Sequence, residues 1–275
     1  MSMKDESVHL KLEGIALALG VMLLYWIVQW FVALSALGAY TLYLSATGAG
    51  QRFSLSMMNL PWVQISVALV SSLVVVLILW AIRLFRFSQV KFRGLPVQHA
   101  VMLGILLIAF SIGITVLTEF TGLPDYSTAS VSRMLSSPWG VLAIALIGPI
   151  GEEVAFRGVI LQKLMDKGWS AVGAILISGI IFGLVHANPN QIFFACILGY
   201  LLGWVYVRTQ SVVPCIGLHI LNNLLSVILY YTMDDESAST AEQFGLPAAI
   251  GIMVVTLIIS AVVFYYLRPR LKKMF

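Results

Sequence analysis

The sequence predicts an all-α polytopic membrane bundle of about eight transmembrane helices, and three observations carry that expectation. Of the 275 residues, 60% are hydrophobic and only 10% charged, against roughly 45–50% and about 25% in an ordinary soluble domain. The mean hydropathy is +0.97. The apolar residues also come in runs near the ~20 that a helix needs to cross a hydrocarbon core of about 30 Å. So few charges cannot cover a water-facing surface, which excludes a soluble enzyme, a nucleic-acid binder and a disordered linker.

Eight runs emerge in order. They are Gly14 to Leu44, Trp62 to Ile82, Leu95 to Leu117, a fourth beginning near Pro138, Gly168 to His186, Gln191 to Val207, Ser211 to Tyr231 and Phe244 to Leu267. The first is longer than one span needs and is expected to tilt or extend past the bilayer. Asn188-Pro189-Asn190 reads as a tight turn between the fifth and sixth. Met1 to Glu13 holds three acids beside two lysines ahead of a very long apolar run, so no cleaved signal peptide is expected. Cys196 and Cys215 both fall inside apolar runs and read as small buried hydrophobes.

Basic residues set the expected orientation. Arg83, Arg86, Lys91 and Arg93 follow the second run, and Arg268, Arg270, Lys272 and Lys273 follow the eighth. Both groups are expected in the cytoplasm. Thr232 to Gln243 carries Asp234, Asp235, Glu236 and Glu242 without a basic residue, as a translocated loop does. Eight spans with both termini cytoplasmic satisfy these signs together. The chain divides into a three-span region 1–137, a core 138–230, and an acidic loop with the last span 231–275, all in one membrane domain.

An ionisable group at membrane depth is costly, so each one marks a candidate site. The runs hold few: Glu152, Glu153 and Arg157 on the fourth, His186 ending the fifth, His219 on the seventh, and His99 at the edge of the third. Glu153 and Arg157 stand at i and i+4 and read as a structural ion pair. Glu152 is turned about 100° away and is the acid without an obvious partner. Gly148-Pro149-Ile150-Gly151 just before it predicts that the helix bends or restarts there. Asn223 shares the face of His219 at i+4, with Asn222 beside it, which also fits a plain interhelical hydrogen-bond cluster. Glu152, His186 and His219 are 34 and 33 residues apart, spacings that let separate spans meet in one cavity. On these bounds His186 lies near the outer face and His219 about two turns from the inner one, so the meeting requires spans that tilt, break or begin deeper.

Glu152 to Arg157 resembles the EExxxR motif of the CAAX-protease and bacteriocin-processing (CPBP, also called Abi) family, which includes the Ras-converting type II prenyl endopeptidases. Phe182 to His186 resembles its FxxxH motif and His219 to Asn223 its HxxxN motif, in the family's order. The resemblance covers roughly Pro138 to Leu229. It implies an intramembrane endopeptidase with Glu152 as general base, His186 holding the water, and His219 with Asn223 stabilising the oxyanion. Glu153 and Arg157 would position the helix. Phe182 and Asn222 stand as supporting residues.

No cofactor is expected. The alternative is a zinc ion on Glu152, His186 and His219, although the HExxH helix used by most such proteases is absent. A non-enzymatic scaffold or immunity protein of the same fold is a second alternative, and a small-solute transporter ranks last. Expected partners are the lipid bilayer and a membrane-associated peptide or prenylated protein, with no nucleic acid and a homodimer left open. The compact chain suggests a prokaryotic source.

Overall fold

The computed structural model describes residues 3–48, 54–87, 90, 95–232 and 239–272. Lys91, Arg93, Asp234, Asp235, Glu236 and Lys273 lie outside them. The described residues form helices and no strand. In order these are α1 (Met3–Ala46), a 3-10 turn (Leu55–Asn59), α2 (Pro61–Ala81), α3 (Val97–Phe120), the short α4 (Thr128–Leu135) and α5 (Pro138–Asp166). There follow α6 (Ala171–Leu184), α7 (Pro189–Thr209), α8 (Val212–Thr232), the short α9 (Thr240–Phe244) and α10 (Leu246–Lys272).

Among the described residues, seven helices are long and apolar enough to cross a membrane. The eighth apolar element, α6, has 14 residues, about 21 Å at 1.5 Å per residue, and does not span a bilayer by itself. Ser170 fixes its start by accepting from Gly173 N–H. Its end is fixed by Ala187, which has a φ of 52°, and by Asn188-Pro189, since the residue before a proline is pushed out of the helical region. The overlong α1 is held near both ends: its first turns reach Trp169, whose indole donates to Lys11 O at 3.1 Å, and toward its far end the Tyr40 ring meets Trp62 in a tilted pair at 5.0 Å.

At the centre lies α5, where Val154, Ala155, Phe156, Val159, Ile160 and Leu161 are all buried. It packs against α1, α2, α6, α7 and α8, while α3 and α10 pair on one flank. Lipid tails are as apolar as leucine, so such helices associate through close packing of small residues rather than through the hydrophobic effect. Gly151 illustrates this, because a Cβ there would lie 2.7 Å from Ser72 Cβ on α2. On the α6–α7 pair, a Cβ at Gly183 would lie 2.2 Å from Cys196 Sγ and one at Gly199 would lie 2.9 Å from Gly179 Cα. Cys196 and Cys215 are free thiols.

Candidate active site

The expectation of a helix restart before Glu152 is corrected: α5 runs unbroken through Pro149. The chain absorbs the missing donor by widening into π-helical turns at Ala143–Ile147 and again at Val154–Leu161. In the first of these, Gly148 N–H reaches back to Ala143 O. The next carbonyl, Ile144 O, would pair in that register with residue 149, and proline has no N–H to give. The Asn223 side chain supplies the donor instead, from Nδ2 at 2.8 Å. Glu152 therefore sits within a continuous helix between two wide turns, a setting common at functional sites.

Glu153 and Arg157 are both fully buried and joined by a 2.7 Å ion pair. The same Glu153 Oε1 accepts from His219 Nδ1 at 2.8 Å. A carboxylate can only accept when ionised, so Nδ1 of His219 carries the proton and Nε2 is turned the other way. That nitrogen lies 3.8 Å from Glu152 Oε2, too long for a direct hydrogen bond and inside ion-pair reach. Glu152 is the acid with access, its side chain 20% exposed. The Arg157 guanidinium also donates to Gly199 O on α7 at 3.2 Å and lies 4.5 Å over the Phe182 ring.

Phe182 draws the two histidines together. Its ring meets that of His186 edge-on at 5.1 Å and that of His219 at 5.7 Å. The expected conflict between an outer His186 and an inner His219 disappears because α6 is short and ends within the bundle. His186 Nδ1 lies 2.9 Å from Phe182 O. Since a carbonyl only accepts, that nitrogen is the donor and Nε2 of the neutral ring is left as an acceptor. The turn after His186 is clasped to the loop before α4: Asn188 Nδ2 donates to Asp125 Oδ1 at 2.9 Å and Asn188 Oδ1 accepts from Tyr126 N–H at 3.1 Å. Partial burial pushes the Asp125 carboxyl up, but the hydroxyl and N–H of Ser127 and the Asn188 amide outweigh it and hold it below the ordinary carboxylate range.

The structure thus brings together Glu152, Glu153, Arg157, Phe182, His186 and His219. Asn222 and Asn223 continue the cluster toward α3, through Ser111 Oγ to Asn222 Oδ1 at 2.7 Å and Asn222 Nδ2 to Asn223 Oδ1 at 3.1 Å. His99 is not part of it. It stands twelve residues before Ser111 on α3, about 18 Å along the axis. No three His, Cys, Asp or Glu among the described residues are grouped so as to hold a metal ion.

Sequence reasoning missed Tyr25, Trp26, Ser72 and Ser111. Tyr25 is buried within electrostatic reach of Glu152 and the Ser72 hydroxyl. Trp26 Nε1 donates to Val185 O at 3.1 Å and ties α1 to the His186 turn. Single hydroxyls and indoles in apolar runs are too ordinary to signal a site. Beside His186 opens a cleft of about 350 Å³, lined by Trp26, Gln29, Trp30, Met58 and Val67.

Residues 134–225 match the family model described as type II CAAX prenyl endopeptidase Rce1-like. That stretch contains Glu152, Glu153, Arg157, Phe182, His186, His219 and Asn223. A protein of Bacillus subtilis (strain 168) named "Putative membrane peptidase YdiL" is 27% identical over 215 residues, which cover 75% of this chain and 86% of that protein. No solved structure matches. With the motif residues of three helices gathered at one site, the chain is a multi-pass membrane protein whose residues 134–225 are similar to the type II CAAX prenyl endopeptidases, and both matches support a peptidase.

Proposed function

We propose that the chain is an intramembrane endopeptidase in which Glu152, without a metal, activates the water that hydrolyses a peptide bond. The observation that carries this reading is the position of the partly exposed Glu152 carboxylate, 3.8 Å from an imidazole whose other nitrogen is anchored by the buried Glu153–Arg157 pair. Glu152 takes a proton from water while the water oxygen bonds to the scissile carbonyl carbon. His186 Nε2, left as an acceptor by the Nδ1 bond to Phe182 O, orients that water. The oxyanion that forms is stabilised by His219 in its imidazolium form, which keeps Nδ1–H on Glu153 and presents Nε2–H to the oxygen, and by the second N–H of Asn223, whose first is used on Ile144 O. As the C–N bond breaks, Glu152 returns its proton to the leaving amine.

The substrate is a membrane-associated peptide or protein, prenylated or apolar near the cleaved bond. The cleft lined by Trp26, Trp30 and Met58 next to His186 suits an apolar segment. Both termini lie in the cytoplasm on this reading, α6 with the turn into α7 making the eighth crossing and Arg83, Arg208, Arg268 and Arg270 standing at the inner ends of their helices, and the Bacillus relative accords with a prokaryotic source.

The test is cleavage of quenched-fluorescence peptides, prenylated and unprenylated, by the pure protein in lipid nanodiscs with excess chelator. Cleavage is expected to persist in chelator and to be lost in His186→Ala and His219→Ala. Loss on chelation with recovery on Zn²⁺ would instead make Glu152, His186 and His219 a zinc site.

A further inference from the structure

Away from the peptidase site, α7 and α10 end side by side and carry the same pattern. On α7, Trp204 is followed one turn later by Arg208, and on α10, Phe264 is followed one turn later by Arg268. The Trp204 and Phe264 rings pack against each other at 4.7 Å. Both rings line an open groove of about 520 Å³ that continues between α3, α6, α7 and α10 past Tyr200, Leu257 and Ala261. Toward the ends of these helices, Arg208, Arg268 and Arg270 line a second cavity of about 590 Å³ with Tyr265 and Tyr266, and no acidic side chain is among its lining residues.

Two of these arginines are set in place rather than simply solvated. Arg270 donates to Tyr266 O at 2.8 Å and lies 3.3 Å over the Tyr266 ring. Arg208 lies 6.0 Å over Trp204, and its Nε is buried without a hydrogen-bond partner among the described residues. A buried cationic donor left unpaired is costly, and an anion in the cavity would relieve it. Tyr265 is 79% exposed and, with Tyr266, belongs to the aromatic level where helices meet lipid headgroups.

We infer that this composite is a binding site for an anionic phospholipid. The headgroup phosphate sits among Arg208, Arg268 and Arg270, where guanidinium groups engage phosphate oxygens bidentately. An acyl chain runs down the Trp204–Phe264 groove toward the bilayer midplane. Charge complementarity sets the occupant, and the apolar groove that begins one turn from Arg208 and Arg268 at Trp204 and Phe264 makes it a lipid rather than a free anion.

The experiment is native mass spectrometry of the full chain in detergent, titrated with dioleoyl phosphatidylglycerol or dioleoyl phosphatidylcholine. The wild type is expected to retain phosphatidylglycerol at least tenfold better than phosphatidylcholine. Arg208→Gln with Arg268→Gln and Arg270→Gln removes that preference, whereas Lys11→Gln with Arg83→Gln and Lys163→Gln, an equal loss of charge elsewhere in the chain, keeps it. Ala261→Trp, placed to fill the groove from an exposed position, weakens retention tenfold with the arginines intact. Equal losses in the two charge variants would reduce the effect to general surface charge and overturn the site. Displacement of the lipid by glycerol phosphate at matching concentration, or unchanged retention in Ala261→Trp, would overturn the groove.

Discussion

One oxygen of Glu153 receives both Arg157 and His219, and the proposed catalytic arrangement depends on that sharing. Replacing one member of a buried ion pair leaves the other charge unsatisfied, at about 3–5 kcal/mol. Glu153→Gln is therefore expected to lower stability by about that amount, read as a large fall in the detergent melting temperature, and to weaken activity by releasing His219. Asn223→Ala removes the donor that replaces the missing Pro149 N–H, leaving Ile144 O unpaired at about 1–3 kcal/mol. Its loss in thermal stability is expected to exceed that of Asn190→Ala, in the first turn of α7 and without such a side-chain bond. At this scale the sequence was legible within a helix and silent between helices. Spacing alone paired Glu153 with Arg157 and left Glu152 aside. The second partner of Glu153, and the role of Phe182 between two histidines, depend on how α5, α6 and α8 pack, which no local spacing encodes.

The elements show where physical detail overrides a simple count of apolar residues. The run Gly168 to His186 is long enough to span, but Ser170, Ala187 and Pro189 trim it to 14 helical residues, and that trimming seats His186 beside His219. Proline in α5 suggested a break, because a missing donor normally ends a helix, yet a π turn and a side-chain donor from α8 close the gap. Close approach at Gly151 is equally specific: Gly151→Ala puts a Cβ 2.7 Å from Ser72 Cβ, an overpacking worth about 1–3 kcal/mol. A melting-temperature series should show that loss and its partial recovery in the double variant with Ser72→Gly. The Asp125–Asn188 clasp has a defined acid limit. Because the Asp125 pKa is depressed on folding, its contribution is present above the unfolded value of about 3.9 and is lost as pH falls through the lower folded value. Proteolysis of the loop before α4 should thus stay constant from pH 7 to 5 and rise only in stronger acid, whereas Asn188→Ala should raise it at pH 7.

For the whole molecule, scarcity of charge is the organising fact. With 10% charged residues, most charges lie at helix ends and in loops, and Glu152, Glu153 and Arg157 stand together inside the bundle. The membrane class and the helical architecture follow from composition and run length. The aromatic cleft and the arginine-capped groove do not, because they are built from residues of helices far apart in sequence. All of this converges on Glu152, the one acid of the cluster with open access. The decisive measurement is kcat for peptide cleavage by Glu152→Gln in nanodiscs, with chelator present and folding checked by an unchanged melting profile. A positioned general base contributes about 10²–10⁴-fold, so the account predicts a fall of at least a hundredfold with KM little changed. Cleavage within a few-fold of wild type would contradict it.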